Sequence, residues 1–333
     1  MRVAITGASG FLGGALASAY RSAGDSVVAL VRKSSNVASL KDIGVELQCG
    51  DLTDENSFHN LIKNADLAIH CAAHAGEFGP WELFYKANVL SVKNFLEAGL
   101  KQNCPRLVYI SSVAVYGNGR HHRGTDEDAA HESQIVDNYT RSKVMAESLA
   151  FDYCDRHKLP LTIIRPGYIW GAGDRAIMPR LIEAIKKHQL AVVEQGVNLM
   201  NLAHVDNVVE GIKLAAASDK AIGQAYNITD GSKITTKRFL EDLIAMLGIE
   251  YRLRSFPYVP VYSFAYACEV YAKLRRYKVE PLITRYSVRM AKFDQVFNIS
   301  KAVYQLGYRP RVCYKEGMNG QISYVRNLYY GQK

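Results

Sequence analysis

An α/β fold built on a doubly wound parallel sheet is what this sequence predicts, and three observations carry the prediction. Short apolar, β-branched runs alternate with helix-type stretches through the first half of the chain. Gly7, Gly10 and Gly13 punctuate the first strand-to-helix turn. Beyond Pro166 the alternation loosens and aromatic residues become frequent, which predicts a smaller, mixed C-terminal part that binds substrate.

The elements follow in order. Val3-Ala4-Ile5 reads as the first strand, and an Ala/Leu-rich helical stretch then runs to about Gly24. Residues 26–31, 45–49, 67–71 and 107–110 read as further buried strands, because a parallel sheet covered on both faces shows continuous apolar runs. Two long helices are predicted over 81–103 and 139–157, the second ending before Pro160. A strand over 161–165 is stopped by Pro166-Gly167. This order predicts a Rossmann-type dinucleotide-binding domain over 1–166. Residues 167–333 form a mainly substrate-binding part, with segments of about 200–230 returning to the sheet.

With 333 residues and 48% apolar content, the chain can bury a sizeable core and is not a disordered protein. Its 41 basic and 32 acidic residues leave a net charge of +9, which favours anionic small molecules or an acidic membrane surface. No nucleic-acid partner is expected. The cysteines at 49, 71, 104, 154, 268 and 313 are too scattered for a disulfide framework or a zinc module, so a cytoplasmic setting without a metal is expected. No uninterrupted apolar stretch reaches the ~18 residues of a spanning helix. Thr6 and the glycines break the N-terminal apolar run before a secretory signal could form.

The glycine pattern G-x-x-G-x-x-G lies where a helix N-terminus offers N–H groups and partial positive charge to a pyrophosphate. A tight turn without ligand would show the same glycines, but the place at the head of a βαβ alternation favours the cofactor. After the second strand, Val31 offers no acceptor to a ribose 2′-hydroxyl, whereas Arg32 suits a 2′-phosphate. NADP(H) is therefore preferred over NAD(H), with a solvated basic loop at Arg32-Lys33 as the alternative. Asp51 either accepts from the adenine amino group or caps the next helix.

Tyr139 and Lys143 stand four residues apart at the start of a predicted helix and share a face. A phenol titrates near ~10, and a neighbouring ammonium is expected to draw it down towards a range useful for proton exchange. Ser111-Ser112 ends the fifth strand, where doubly wound folds hold their ligands.

These residues carry a resemblance. Thr6-Gly7-Ala8-Ser9-Gly10-Phe11-Leu12-Gly13, Asp51-Leu52, His70-Cys71-Ala72-Ala73, Asn88, Ser111 to Gly117, Tyr139 with Lys143, and Arg165-Pro166-Gly167 occur in the order found in extended short-chain dehydrogenases/reductases. The resemblance implies Tyr139 as acid/base, Lys143 as its activator and ribose ligand, and Ser112 rather than Ser111 as donor to the substrate oxygen. It also implies a cofactor site from Gly7, Ser9, Gly10, Phe11, Leu12, Gly13, Arg32, Asp51, Leu52, Ala72, Ala73, Tyr139, Lys143 and Pro166. Asn88 is read as supporting its helix or a water path.

The stretch Ala72 to Trp81, Phe297 to Ala302, and Leu306-Gly307-Tyr308-Arg309-Pro310 with Glu316-Gly317 resemble the 3β-hydroxysteroid dehydrogenase-like branch. That branch includes 2-alkyl-3-oxoalkanoate reductases and sterol-4-carboxylate 3-dehydrogenases. A hydrophobic β-keto or β-hydroxy substrate and a homodimer paired through the two long helices are implied. Asn298 replaces a frequent aspartate, and Trp170 replaces a tyrosine, which bears on the pocket's shape. A nucleotide-sugar epimerase or dehydratase and a non-catalytic dinucleotide sensor are the alternatives.

His204-Val205-Asp206-Asn207 reads as a structural returning segment, and His121-His122 as part of a solvated loop. Between 256 and 277, apolar residues at 259, 261, 264, 265, 268, 271 and 274 recur mostly at helical steps beside Arg252, Arg254, Lys273, Arg275, Arg276 and Lys278. Core packing, a lid over a lipid-like substrate and a peripheral membrane contact all remain open for this helix.

Overall fold

In a computed structural model that describes residues 1–331, the first half of the chain alternates strand and helix. It contains β1 (Arg2–Thr6), α1 (Phe11–Ser22), β2 (Ser26–Val31), β3 (Glu46–Cys49), α2 (Glu55–Ile62) and β4 (Leu67–His70). A long helix α3 follows, as Trp81–Phe84, a π-helical turn Tyr85–Leu90 and Ser91–Lys101. Then come β5 (Leu107–Ile110), α4 (Asn138–His157) and β6 (Leu161–Pro166).

The apolar runs form these strands because both faces of the sheet are covered. Seven strands pair in parallel in the order β3-β2-β1-β4-β5-β6-β7, where β7 is Ala225–Ile228. Strand order reverses between β1 and β4, so a crevice opens at their carboxyl ends, as in a Rossmann-type sheet. One face buries Leu16, Tyr20, Val208, Ile212 and Ala302 against the strands, and the other buries Phe58, Leu61, Phe95, Leu96 and Ala150.

After β6 the chain builds a separate cluster around Trp170, Phe239, Leu243 and Met318. It then comes back to the sheet twice. Helix α5 (Val205–Ala217) packs beside α1 and leads to β7, and the later segment Ser300–Leu306 seals the same face through Ala302 and Leu306. The second return lies outside the expected 200–230 segment, because only the tertiary fold brings it to the sheet.

The π turn in α3 was not legible as a feature of the sequence. It widens the helix where Asn88 leaves it. The helix expected between 256 and 277 is α6 (Tyr258–Leu274), followed by the short α7 (Arg285–Met290). Its apolar positions do not form one stripe. Val261 and Ala265 face α7 or the interior and Cys268 is half-buried, whereas Val259, Phe264, Tyr271 and Leu274 face outward.

Candidate active site

The turn after β1 sets one wall of the crevice. Gly7 adopts φ +74°, and a Cβ there would stand 2.8 Å from the backbone nitrogen of Ala72. A Cβ on Gly13 would lie 2.2 Å from the carbonyl oxygen of Gly7, so α1 packs directly on the loop. The Thr6 hydroxyl accepts from the backbone N–H groups of Cys71 and Ala72, both at 3.2 Å, and ties β1 to β4. No side chain caps the first turn of α1, and Gly10 stands exposed at its entrance. These uncapped N–H groups beside a hydrogen-only surface fit a pyrophosphate.

Arg32 and Lys33 stand exposed after β2. Asp51 accepts from both the backbone N–H (2.7 Å) and the hydroxyl (2.6 Å) of Thr53, and these bonds hold its carboxyl below the ordinary range. It is not a helix cap: Asp54 accepts from the N–H groups of Asn56 and Ser57 and starts α2. Ala73 follows Ala72 along the loop after β4, Leu52 offers its carbonyl to Asn94 of α3, and Pro166 ends β6 at the same edge of the sheet.

Tyr139 and Lys143 occupy the first turns of α4, whose N-terminus is capped by Asp137 accepting from the Thr140 N–H at 2.7 Å. Ser112, directly after β5, accepts from the Ala114 N–H at 3.1 Å, which leaves its hydroxyl proton free to donate. Burial raises the Tyr139 phenol, the adjacent Ser112 hydroxyl lowers it and the Asp137 charge raises it, with a net upward shift. The downward pull expected from Lys143 therefore does not prevail. The phenol's own burial is the larger effect; Lys143 is itself buried, which pushes its ammonium down to about 8, and it donates to the Ile110 carbonyl at 3.0 Å. Ser111 is 3% exposed and lies behind the crevice, against Glu147.

Asn88 has a structural assignment. Its amide exchanges two hydrogen bonds with the backbone of His74, at 2.7 and 3.0 Å, and donates to Ser142 Oγ at 2.8 Å. Ser142 in turn donates to the Tyr139 carbonyl at 2.8 Å. The π turn thus locks the loop after β4 to the start of α4.

Several contributors escaped sequence reading. Glu147, one turn beyond Lys143, is fully buried and accepts from Arg165 Nε (3.0 Å) and Nη2 (2.5 Å), with His131 at 2.7 Å. Burial opposes the charge on Glu147, but His131 and Arg165 outweigh it, so its carboxyl sits below the ordinary range. Arg165 Nη1 also donates to the hydroxyl of Tyr116, which follows Ser112 in the next turn. The available signal was a charged residue on the apolar face of α4, in register with Tyr139 and Lys143. Tyr286 of α7, whose ring stands edge-on to Tyr139 at 6.1 Å, gave no signal at all.

Other expectations change. Trp170 does not line this crevice; it is buried, donates to Asp230 at 2.8 Å and stacks edge-on with His204. His204 caps α5. His122 is buried in the strand His122–Thr125, bonded to Thr125 and Gly117, rather than in a solvated loop. Asn298 meets its local need with an amide oxygen, which accepts from the Ser300 N–H. No group of three potential metal ligands occurs among the described residues.

The model of the NAD dependent epimerase/dehydratase family matches residues 3–229. A farnesyl-dihydroquinoline-oxide ketoreductase of Stigmatella aurantiaca is 30% identical over 96% of this chain and 95% of its own. The 2-alkyl-3-oxoalkanoate reductase of Stenotrophomonas maltophilia is 28% identical over 96% and 97%. Sterol-4-alpha-carboxylate 3-dehydrogenase of Mus musculus is 28% identical over 85% and 81%. Among solved structures, that of gox2253 matches with a TM-score of 0.80 at 26% identity, over 98% of this chain and 99% of that one.

The Glu147–Arg165 pair generates a stability prediction. Glu147→Gln leaves the Arg165 charge buried and should cost about 3–5 kcal/mol in neutral urea unfolding. Because the folded carboxyl is depressed, its stabilisation is present above the unfolded value and fades as pH falls through the folded one. The gap between wild type and variant should therefore narrow below about pH 4. A gap independent of pH would contradict the ion pair.

Proposed function

Since the chain belongs to the NAD dependent epimerase/dehydratase family of extended short-chain dehydrogenases, we propose that it is an NADP-preferring oxidoreductase. It moves a hydride to or from a hydrophobic β-keto or β-hydroxy substrate. The observation that carries this reading is the convergence of Tyr139, Ser112 and Lys143 at the carboxyl end of β5, beneath the ring of Tyr286.

The roles follow from the positions. Gly7, Ser9, Gly10, Phe11, Leu12 and Gly13 would hold the pyrophosphate through backbone N–H groups, and Arg32 would pair with the adenosine 2′-phosphate. Asp51 and Leu52 would meet the adenine, Ala72, Ala73 and Pro166 would let the cofactor pass close to the backbone, and Tyr139 and Lys143 would hold the ribose. The nicotinamide supplies the hydride donor or acceptor when bound. Ser112 orients the substrate oxygen, with its own lone pair occupied by the Ala114 N–H. Tyr139 exchanges the proton with that oxygen, and Lys143, one helical turn further along α4, supplies positive charge on the same face. The relatives named for farnesylated, alkylated and sterol substrates support an apolar pocket.

Association is proposed as well. Leu83 and Tyr85 of α3 and Met145 of α4 stand exposed on neighbouring helices, which suits a four-helix contact between two copies. Light scattering should report a dimer at micromolar concentration, and monomer alone would reject it.

Two measurements test the chemistry. Arg32→Ala should weaken NADPH binding more than NADH binding; an unchanged ratio of dissociation constants would move the 2′-phosphate away from Arg32. Tyr139→Phe should retain cofactor binding while turnover falls about 100- to 10,000-fold, and Lys143→Ala should lose both. Near-normal turnover by Tyr139→Phe removes the mechanism. A nucleotide sugar as best substrate in a screen with keto acids and sterols moves the protein to the epimerase and dehydratase reading.

A further inference from the structure

Helix α6 is apolar on both sides, which a water-exposed helix is not. Its inner side is already satisfied. Ala265 and Ala272 are buried, Val261 and Tyr262 pack with Val288 of α7, and the one carboxylate there, Glu269, is buried in an ion pair with Arg285 at 2.8 Å. The outer side carries Val259 (69% exposed), Phe264 (54%), Tyr271 (56%) and Leu274 (77%), with Tyr266 and Val270 between them.

Both ends of this bare stripe are basic. Lys273, Arg275, Arg276 and Lys278 surround its C-terminal end. Before its N-terminal end lies an open cleft of about 680 Å³ lined by His188, Tyr251, Arg252, Leu253, Arg254, Ser255 and Phe256. The exposed carboxylates nearest in sequence, Glu250 and Glu280, lie outside both ends. The helix is too short to cross a bilayer, and no helix among the described residues is long and apolar enough to do so. At ~1.5 Å per residue its 17 residues can lie along an interface for ~25 Å.

The geometry points to an anionic phospholipid surface as the partner of this face, with the outer side of α6 among the acyl chains and the basic ends on the phosphates. A second copy fits poorly, because a two-fold contact would set basic ends against basic ends. A bilayer of anionic lipid complements both features at once.

The placement deepens the proposed function and rests on it. The α6–α7 hairpin closes over the crevice: Tyr286 stands against Tyr139, its carbonyl accepts from Asn118 at 3.1 Å, and Thr284 donates to Glu77 at 2.6 Å. Phe78 meets Tyr277 at 5.4 Å. A membrane under α6 therefore lies beside the entrance to the site, and an apolar substrate can enter from the lipid.

The test is flotation of the full chain with vesicles of phosphatidylcholine alone or mixed equally with phosphatidylglycerol. Wild type should float with the anionic vesicles, less with the neutral ones, and less again at high salt. The double variant Phe264→Asp, Leu274→Asp and the double variant Arg275→Glu, Arg276→Glu should each bind about tenfold or more weakly. Both pairs are exposed, so an unchanged thermal melt verifies folding, and turnover of a short, water-soluble keto acid should persist. Tyr139→Phe should float as wild type does. Wild type left in the lipid-free fraction, equal binding to neutral vesicles, or undiminished binding of the aspartate variant overturns the proposal. So does a loss of self-association in the aspartate variant without any vesicle binding, which assigns the face to a second copy. Failure of the chemistry alone leaves flotation intact and is read separately from Tyr139→Phe turnover.

Discussion

The buried pair Glu147–Arg165 is the contact on which the rest of the site depends. Glu147 belongs to α4, one turn past Lys143, and Arg165 belongs to β6. Through Tyr116 the same guanidinium reaches the turn that begins at Ser112, and Tyr116 donates onward to Asn227 of β7. One charge pair thus fixes the helix bearing Tyr139, the strand edge bearing Ser112 and the strand that returns from the C-terminal half. Taking two charges out of water costs several kcal/mol per ion before their attraction repays it, so such a pair persists only with full hydrogen bonding. His131 and Tyr116 supply that bonding. The energetic return is geometric definition more than net stability.

A second brace acts in the first turns of α4, ahead of Glu147. Asn88, released inward by the π turn of α3, spends its amide on His74 and Ser142. Both braces follow Tyr139 within three turns of α4, so the helix segment that carries it is held to the loop after β4 and to β6. Burial in this setting raises Tyr139 and depresses Lys143, because it disfavours the charged form of each group.

The outer face of α6 belongs to the same economy of placement. The hairpin that covers the crevice brings Tyr286 of α7 against Tyr139 and leaves the apolar outer side of α6 exposed. The hairpin so placed can serve both substrate access and attachment, because α7 packs against the inner side of α6 and its Tyr286 reaches Tyr139.

The strands, the glycine turn, the Tyr139–Lys143 spacing and the serine at the end of β5 were all legible before folding. These signals are local: a parallel strand covered on both faces is a continuous apolar run, and residues four apart on a helix share a face. Only the tertiary structure decided what depends on distant partners. The pairing of Glu147 with Arg165, the inward turn of Trp170 onto Asp230, the arrival of Tyr286 at Tyr139 and the second return of Ser300–Leu306 all join residues far apart in the chain. The division of α6 into a packed and a bare side also lay beyond periodicity. The helical steps were legible, but which of the apolar positions would be covered depended on the packing of α7 against Val261 and Ala265.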